Sequence, residues 1–193
     1  WAFDLSLYYN NYTNLRSYTI GSPSMQVVDS QPIIVLPLLL NNNMKGRSKG
    51  GELLVTWQAS HNTNFRFSYS FLDDTLKDSQ NNYFTESLIT LGEDRTPRNQ
   101  ASLWGSFDLG PQVELDFRLF YVDKRPYEYP QLKSVDSNFN ADFRLAWNLN
   151  DTVELSLAGR NLLYSSRQEF VIETWPEPSQ IERSLFVKVK FEW

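Results

Sequence analysis

Few side chains in this sequence are suited to chemistry, and they are scattered. The single histidine, His61, sits in the short polar turn Ser60-His61-Asn62. A Ser-His-acid hydrolase would have to be built on it, but a solvated turn offers nothing to hold an imidazole against a serine. Catalysis is therefore not expected. The 193 residues include no cysteine, which removes thiolate nucleophiles, disulfides and Cys-ligated metals. Acidic pairs occur at Asp73-Asp74 and Glu93-Asp94. Hard oxygens suit Ca²⁺, but the spacing is not that of a cation-binding loop, and these pairs read as solvated surface. No metal site and no cofactor are expected. What remains is a set of rings and guanidinium groups: Tyr83, Phe84, Arg95, Arg125, Tyr127, Tyr129, Arg167 and Trp175. Such groups stack on a bulky small-molecule ligand and form charge-assisted hydrogen bonds to it.

The balance of 18 basic and 23 acidic residues gives a net charge of −5. With the cations dispersed, this excludes a nucleic-acid partner. The longest apolar run, Pro32 to Leu40, is too short for a membrane helix and holds two prolines. It is expected to continue a long second strand. The chain begins at Trp1 with no charged and apolar leader, so it is expected to be a processed or excised piece.

The elements that position these residues emerge at period two. Apolar residues alternate through Phe3 to Tyr9, Leu53 to Ala59, Phe65 to Phe71, Ala101 to Leu109, Val113 to Tyr121, Phe139 to Leu149, Val153 to Gly159 and Leu185 to Trp193. Of these 37 alternate positions 35 are apolar, the exceptions being Gly105 and Gly159. The interleaved positions carry charge of both signs, including Arg66, Asp116, Arg118, Asp142, Arg144 and Arg160. Apolar exceptions on that face are Tyr8, Leu54, Trp104, Phe120, Ala146, Ala158 and Phe186.

A soluble β-sandwich also alternates. Two features point instead to a membrane. Connections alternate short and long: Ser60-Asn62, Gly110-Gln112 and Asn150-Thr152 are brief, and the other four are extended. Transmembrane barrels sort their loops in this way. The apolar face also carries aromatics at two levels, with Trp57, Phe65, Phe107, Trp147 and Trp193 near the short turns and Tyr9, Phe71 and Tyr121 near the long loops. Rings with one polar edge favour a bilayer interface. The expectation is an all-β, antiparallel transmembrane β-barrel of eight visible strands, embedded in a lipid bilayer. Trp57, Trp147 and Trp193 would lie at the membrane interface. Arg66, Asp116, Arg118, Asp142, Arg144 and Arg160 would line the lumen, either along a solute path or paired across neighbouring strands.

The last segment, Leu185 to Trp193, ends on an aromatic and resembles the C-terminal strand of bacterial outer-membrane proteins. Further strings resemble one family, the TonB-dependent outer-membrane receptors. These are Phe143-Arg144-Leu145-Ala146-Trp147, Leu155 to Leu163 with its Asn161-Leu162-Leu163, Gln168-Glu169-Phe170 and Ile181-Glu182-Arg183-Ser184. Gly50-Gly51-Glu52-Leu53 and the stretch Asp4 to Leu15 add to the likeness. The resemblance implies a 22-stranded barrel filled by an N-terminal plug, of which residues 1–193 would be the last eight strands, with plug and earlier strands absent. It also implies a location in the bacterial cell outer membrane and partners in the remaining strands, the plug and TonB, the last reached through the missing N-terminal part. The implied function is uptake of a scarce solute such as a ferric siderophore or cobalamin. The alternative is an autonomous eight-stranded outer-membrane barrel with a structural or adhesive role.

Overall fold

The structure, a computed structural model, describes residues 1–78, 96–125, 134–168 and 180–192. The described residues form twelve strands. In chain order they are β1 (Ala2–Ile20), β2 (Ser24–Val28), β3 (Gln31–Val35), β4 (Leu38–Ser60), β5 (Thr63–Asp78), β6 (Asn99–Gly110), β7 (Val113–Val122), β8 (Asn138–Asn150), β9 (Val153–Arg160), β10 (Ser166–Gln168), β11 (Gln180–Glu182) and β12 (Ser184–Phe191). Eight of them build one antiparallel sheet in the order β1-β4-β5-β6-β7-β8-β9-β12, and these hold the eight alternating segments of the sequence, the last of them as far as Phe191. The pairs β2-β3 and β10-β11 are separate hairpins. No described helix is long and apolar enough to cross a membrane.

Local chemistry closes the short turns. Asn150 Oδ1 accepts from the Thr152 backbone N at 3.0 Å and from its Oγ1 at 2.9 Å, a side chain mimicking a backbone turn. Neighbouring turns are stitched sideways, with Asp108 N donating to Asn62 O, Asn148 N to Gln112 O and Glu192 N to Thr152 O, each near 2.8 to 2.9 Å.

The first long connection, between the alternating runs that end at Tyr9 and begin at Leu53, is instead mostly strand. β1 and β4 continue pairing up to Ile20 and Leu38, with irregularities around Leu15 beside the left-handed Asn14 (φ 58°). The alternation disappears there although the ladder does not. At about 3.4 Å per residue the 19 residues of β1 reach about 60 Å, more than twice an apolar belt of about 25 Å. Above the belt neither face needs to be apolar. The projecting part is held by polar contacts: buried Ser17 donates to Asn41 Oδ1, Asn41 Nδ2 donates to Thr19 Oγ1, and Asn43 N donates to Ser17 Oγ at 3.0 Å. The apolar run from Pro32 to Leu40 is divided rather than continuous. Leu38 to Leu40 start β4, whereas Pro32 to Val35 belong to β3, paired with β2 across a two-residue turn at Asp29 and Ser30. Both turn residues have positive φ (49° and 64°), the conformation whose twist suits a tight hairpin.

Among the described residues the sheet has no second layer. Val135 and Ala146 are the only buried hydrophobic residues among those described, which removes the sandwich reading, since a sandwich encloses its apolar face. Here that face lies open: Phe3, Leu5, Leu7 and Val187 are between 64% and 76% exposed. Leaving a Leu or Phe side chain in water rather than an apolar medium costs about 1.5 to 3 kcal/mol, so a face of this size demands a non-aqueous cover. Along its short-turn end a chain of rings runs from Trp1 through Trp57 (4.8 Å) and Phe65 (5.4 Å) to Phe107 (5.5 Å) and Phe117. The two glycine exceptions have a packing reason. A Cβ at Gly105 would meet the Phe117 ring at 2.5 Å, and one at Gly159 the Phe143 ring at 2.6 Å, so each glycine is a seat for a cross-strand ring.

Candidate functional site

The charged face assembles its side chains by register. Arg66 of β5 lies opposite Trp104 of β6, Trp104 opposite Arg118 of β7, and Arg118 opposite Asp142 of β8. One step toward the short turns, Asp116 lies opposite Arg144. Arg144 is gripped by three carboxylates: Nη1 reaches Glu114 at 3.2 Å and Asp116 at 3.1 Å, and Nη2 reaches Glu154 at 2.8 Å. Its planar fork lets one guanidinium bridge β7 and β9 from β8.

The other arginines take a different solution. Arg66 lies 5.7 Å from the Trp104 ring centre, Arg118 5.3 Å from that of Phe120, and Arg160 5.2 Å from that of Phe186. Among the described residues none of these three has a salt bridge. Each ring face screens a guanidinium on one side and leaves its donors directed elsewhere. Cross-strand ion pairing thus accounts for Arg144, Asp116, Glu114 and Glu154, whereas Arg66, Arg118 and Arg160 keep hydrogen-bonding capacity. A groove of about 340 Å³ runs among Trp104, Arg118, Asp142, Arg160, Phe186 and Lys188. Chemically it sets cations and rings beside the carboxylates of Asp116 and Asp142.

Asp142 has a separate task. Its Oδ1 accepts the backbone N–H of Asn161 at 3.0 Å. Asn161 is 3% exposed, stands in the left-handed region (φ 56°), accepts on Oδ1 from Asn140 Nδ2, and donates its own Nδ2 to Ile181 O at 2.8 Å. Leu162 N donates to Ala141 O at 3.0 Å. One asparagine therefore joins the top of β8, the end of β9 and strand β11. β11 pairs with β10, where Arg167 lies opposite Ile181.

At the long-loop end the outward Tyr69 and Tyr121 point their hydroxyls at a polar pair. Tyr69 donates to Asn99 Oδ1 at 2.7 Å, Asn99 Nδ2 to Asp123 Oδ2 at 2.8 Å, and Tyr121 to Asp123 Oδ1 at 3.2 Å. The hydrogen bond from Asn99 is the main reason that the Asp123 carboxyl sits below its ordinary pKa; the Lys124 backbone N–H and Tyr121 add to it, against the opposing effect of desolvation. Near the short turns Trp57 and Trp147 lie on the apolar face, 38% and 49% exposed.

Of the expected ligand residues, Arg125 exchanges both backbone hydrogen bonds with buried Val135, at 2.8 and 3.1 Å, and so pins the base of the β7-β8 connection. Tyr83, Arg95, Tyr127, Tyr129 and Trp175, with Trp193 of the membrane interface, lie outside the described residues, and only the backbone of Arg167 is described. Sequence reading assigned no role to Trp104, Phe120 and Phe186. Their signal was present as aromatics of the wrong parity: Phe120 stands two residues from Arg118 on one strand, whereas only strand pairing brings Trp104 to Arg66 and Phe186 to Arg160.

The family model for the TonB-dependent receptor-like β-barrel matches residues 1–162. No curated protein matches the sequence. Among solved structures, the siderophore receptor PiuA from Acinetobacter baumannii is similar at a TM-score of 0.66 and 19% identity, over 98% of this chain and 26% of that one. The copper transporter OprC is similar at 0.64 and 14% identity, over 98% and 29%. The outer membrane transporter YddB from Escherichia coli is similar at 0.62 and 13% identity, over 99% and 30%. The chain thus spans between a quarter and a third of the length of these transport proteins, and at such identities the likeness is one of fold. A single antiparallel sheet with one apolar and one charged face, matched by the family model over most of its length, makes this chain a member of the TonB-dependent receptor-like β-barrel family.

Proposed function

We propose that residues 1–193 form the C-terminal eight strands of the barrel wall of an outer-membrane TonB-dependent receptor, which takes up a scarce, bulky solute such as a ferric siderophore or cobalamin. The carrying observation is an open sheet with two different faces. β1 and β12 are its edges, and no pairing joins them among the described residues. Open edges cannot face hydrocarbon, so further strands must complete the wall. An autonomous eight-stranded barrel would need β1 on β12, and the topology speaks against it. The apolar face meets lipid, and the arginine-rich face meets the plug and the solute path. In this reading the intact protein contacts TonB through its N-terminal part, and the loop residues Tyr83, Arg95, Arg125, Tyr127, Tyr129, Arg167 and Trp175 contact ligand.

The test is deletion of the complete reading frame in the source bacterium, with uptake of labelled ferric siderophores and cobalamin measured with and without a protonophore. Loss of energy-dependent uptake of one solute, restored by the gene, is the expected result. An outer-membrane protein of only 22.6 kDa with unchanged uptake of every solute would overturn the reading.

A further inference from the structure

We propose that the outward face of β1, β4 and β5, just above the apolar belt, binds a phosphate-bearing lipid of the surrounding leaflet. The proposal rests on the reading of that face as lipid-facing. Ladder parity decides which side chains share it. From Trp57, Val55 and Leu53, two-residue steps up β4 pass Gly51 and reach Lys49, Arg47 and Lys45, all exposed. On β5 the same parity carries Phe67, Tyr69 and Phe71, then Asp73, Thr75 and exposed Lys77, with Lys77 directly opposite Lys45. Lys49 lies opposite Tyr9, so the cations begin at the level of the upper aromatic belt. Asp73 is the one carboxylate on this face of β4 and β5 above Leu53. It bonds Lys49 at 3.0 Å and lies 3.8 Å from Arg98. On β4 and β5 four cations (Lys45, Arg47, Lys49, Lys77) less one carboxylate leave a net charge of +3.

Directly beneath is a slot. Leu7, Gly51 and Phe71 occupy one row of the ladder, and the missing side chain at Gly51 leaves an apolar groove of about 530 Å³. Leu5, Leu53 and Tyr69 form its lower part, and Lys49 stands at its upper lip. A Cβ on Gly51 would come within 2.8 Å of Leu7 Cδ2, so a larger residue narrows the groove. Cations above and an apolar slot below match one chemistry, an acyl chain with its phosphate among ammonium and guanidinium groups. A free phosphate would use the cations and leave the slot idle.

The test uses the full-length receptor in phosphatidylcholine nanodiscs doped with bisphosphorylated lipid A, with bound lipid counted by native mass spectrometry. The quadruple variant Lys45→Gln, Arg47→Gln, Lys49→Gln, Lys77→Gln should retain less lipid A by a factor on the order of a hundred, since each cation near a membrane surface strengthens anionic-lipid binding severalfold. Inorganic phosphate should displace little of the lipid from the wild type. Equal retention by the quadruple variant, or full displacement by inorganic phosphate, overturns the proposal. Should the quadruple variant not assemble, the exposed pair Lys45→Gln, Lys77→Gln should still lower retention severalfold, and unchanged retention there is equally fatal. Gly51→Val should weaken retention of the acylated lipid; no change removes the slot from the account. Solute uptake is read separately, so a wild-type receptor that binds lipid A but transports nothing refutes the transport reading alone.

Discussion

Leu103 and Ser102 are neighbours in β6, yet they look into different media. Leu103 stands in a row with Phe3, Val55, Phe67 and Leu119, whereas Ser102 bonds Ser68 at 2.7 Å in a row with Asp4 and Asn140. The first row is stabilised by what the solvent is, and it tolerates any apolar side chain. The second is stabilised by specific partners, and its chemistry is legible only when the partners are known. The two faces of one sheet therefore differ less in strength than in how their stability is encoded.

The sharpest way to break this comparison is a charge placed one residue apart. Leu103→Arg should lower the unfolding free energy of the full-length receptor in lipid vesicles by about 2 to 4 kcal/mol, while Ser102→Arg should cost about 1 kcal/mol for its lost hydroxyl pair. Equal effects in denaturant titrations would erase the assignment of faces. Next comes Asn161→Ala, which strips a buried hub of its side-chain bonds and leaves a non-glycine residue at positive φ. A loss of about 2 to 3 kcal/mol is expected, with faster protease cleavage between Leu162 and Arg183; Asn161→Gly, which relieves the positive φ but not the lost bonds, should recover part of it. Arg144→Gln leaves three carboxylates without their shared cation, but Arg144 is a third exposed, so water screens the loss to about 1 kcal/mol. Arg118→Gln, which gives up a ring contact and no ion pair, should change stability by less than about 0.5 kcal/mol and alter solute uptake instead.

The smallest effect concerns pH. Because the folded Asp123 carboxyl titrates below its unfolded value, its contribution is complete above the unfolded pKa and is lost as pH falls through the folded one. The denaturant midpoint of the wild type should therefore decline on acidification below the ordinary carboxylate range more than that of Asp123→Asn. Parallel curves would show that the Asn99 and Tyr121 bonds contribute nothing to folding.

What sequence reading could reach follows the same division. The eight strands were visible because hydrocarbon imposes alternation over the depth of a bilayer: Val113–Val122 and Asn138–Asn150 differ from the alternating runs by about one residue, whereas β1, β4 and β5 run on well past theirs at the long-loop end. The upper halves of β1 and β4 were invisible for the converse reason: Ser17, Asn41 and Asn43 sit in water, where pairing continues without a pattern. The hairpin at Asp29 and Ser30 lacks the usual Asn-Gly or Asp-Gly signature of its turn. On the charged face, the ion pairs of Arg144 and the rings over Arg66 and Arg160 come from neighbouring strands, which composition does not record, whereas the Phe120 ring over Arg118 lies two residues along the same strand.

The length of β4 has a consequence for motion. Around Trp57 the strand lies between β1 and β5 within an eight-stranded sheet, and it keeps both neighbours up to Met44. Beyond that point, from Asn41 to Leu38, it has only β1, and its tip carries a hairpin attached to nothing else among the described strands. A two-stranded ribbon is marginally stable by itself. Amide exchange with deuterium should accordingly run in a gradient along this one strand, slow beside Trp57, faster near Lys45 and fastest at Leu39 and Leu40, as local opening replaces opening of the whole sheet. A single continuous ladder would then join the most slowly and the most rapidly opening parts of the wall.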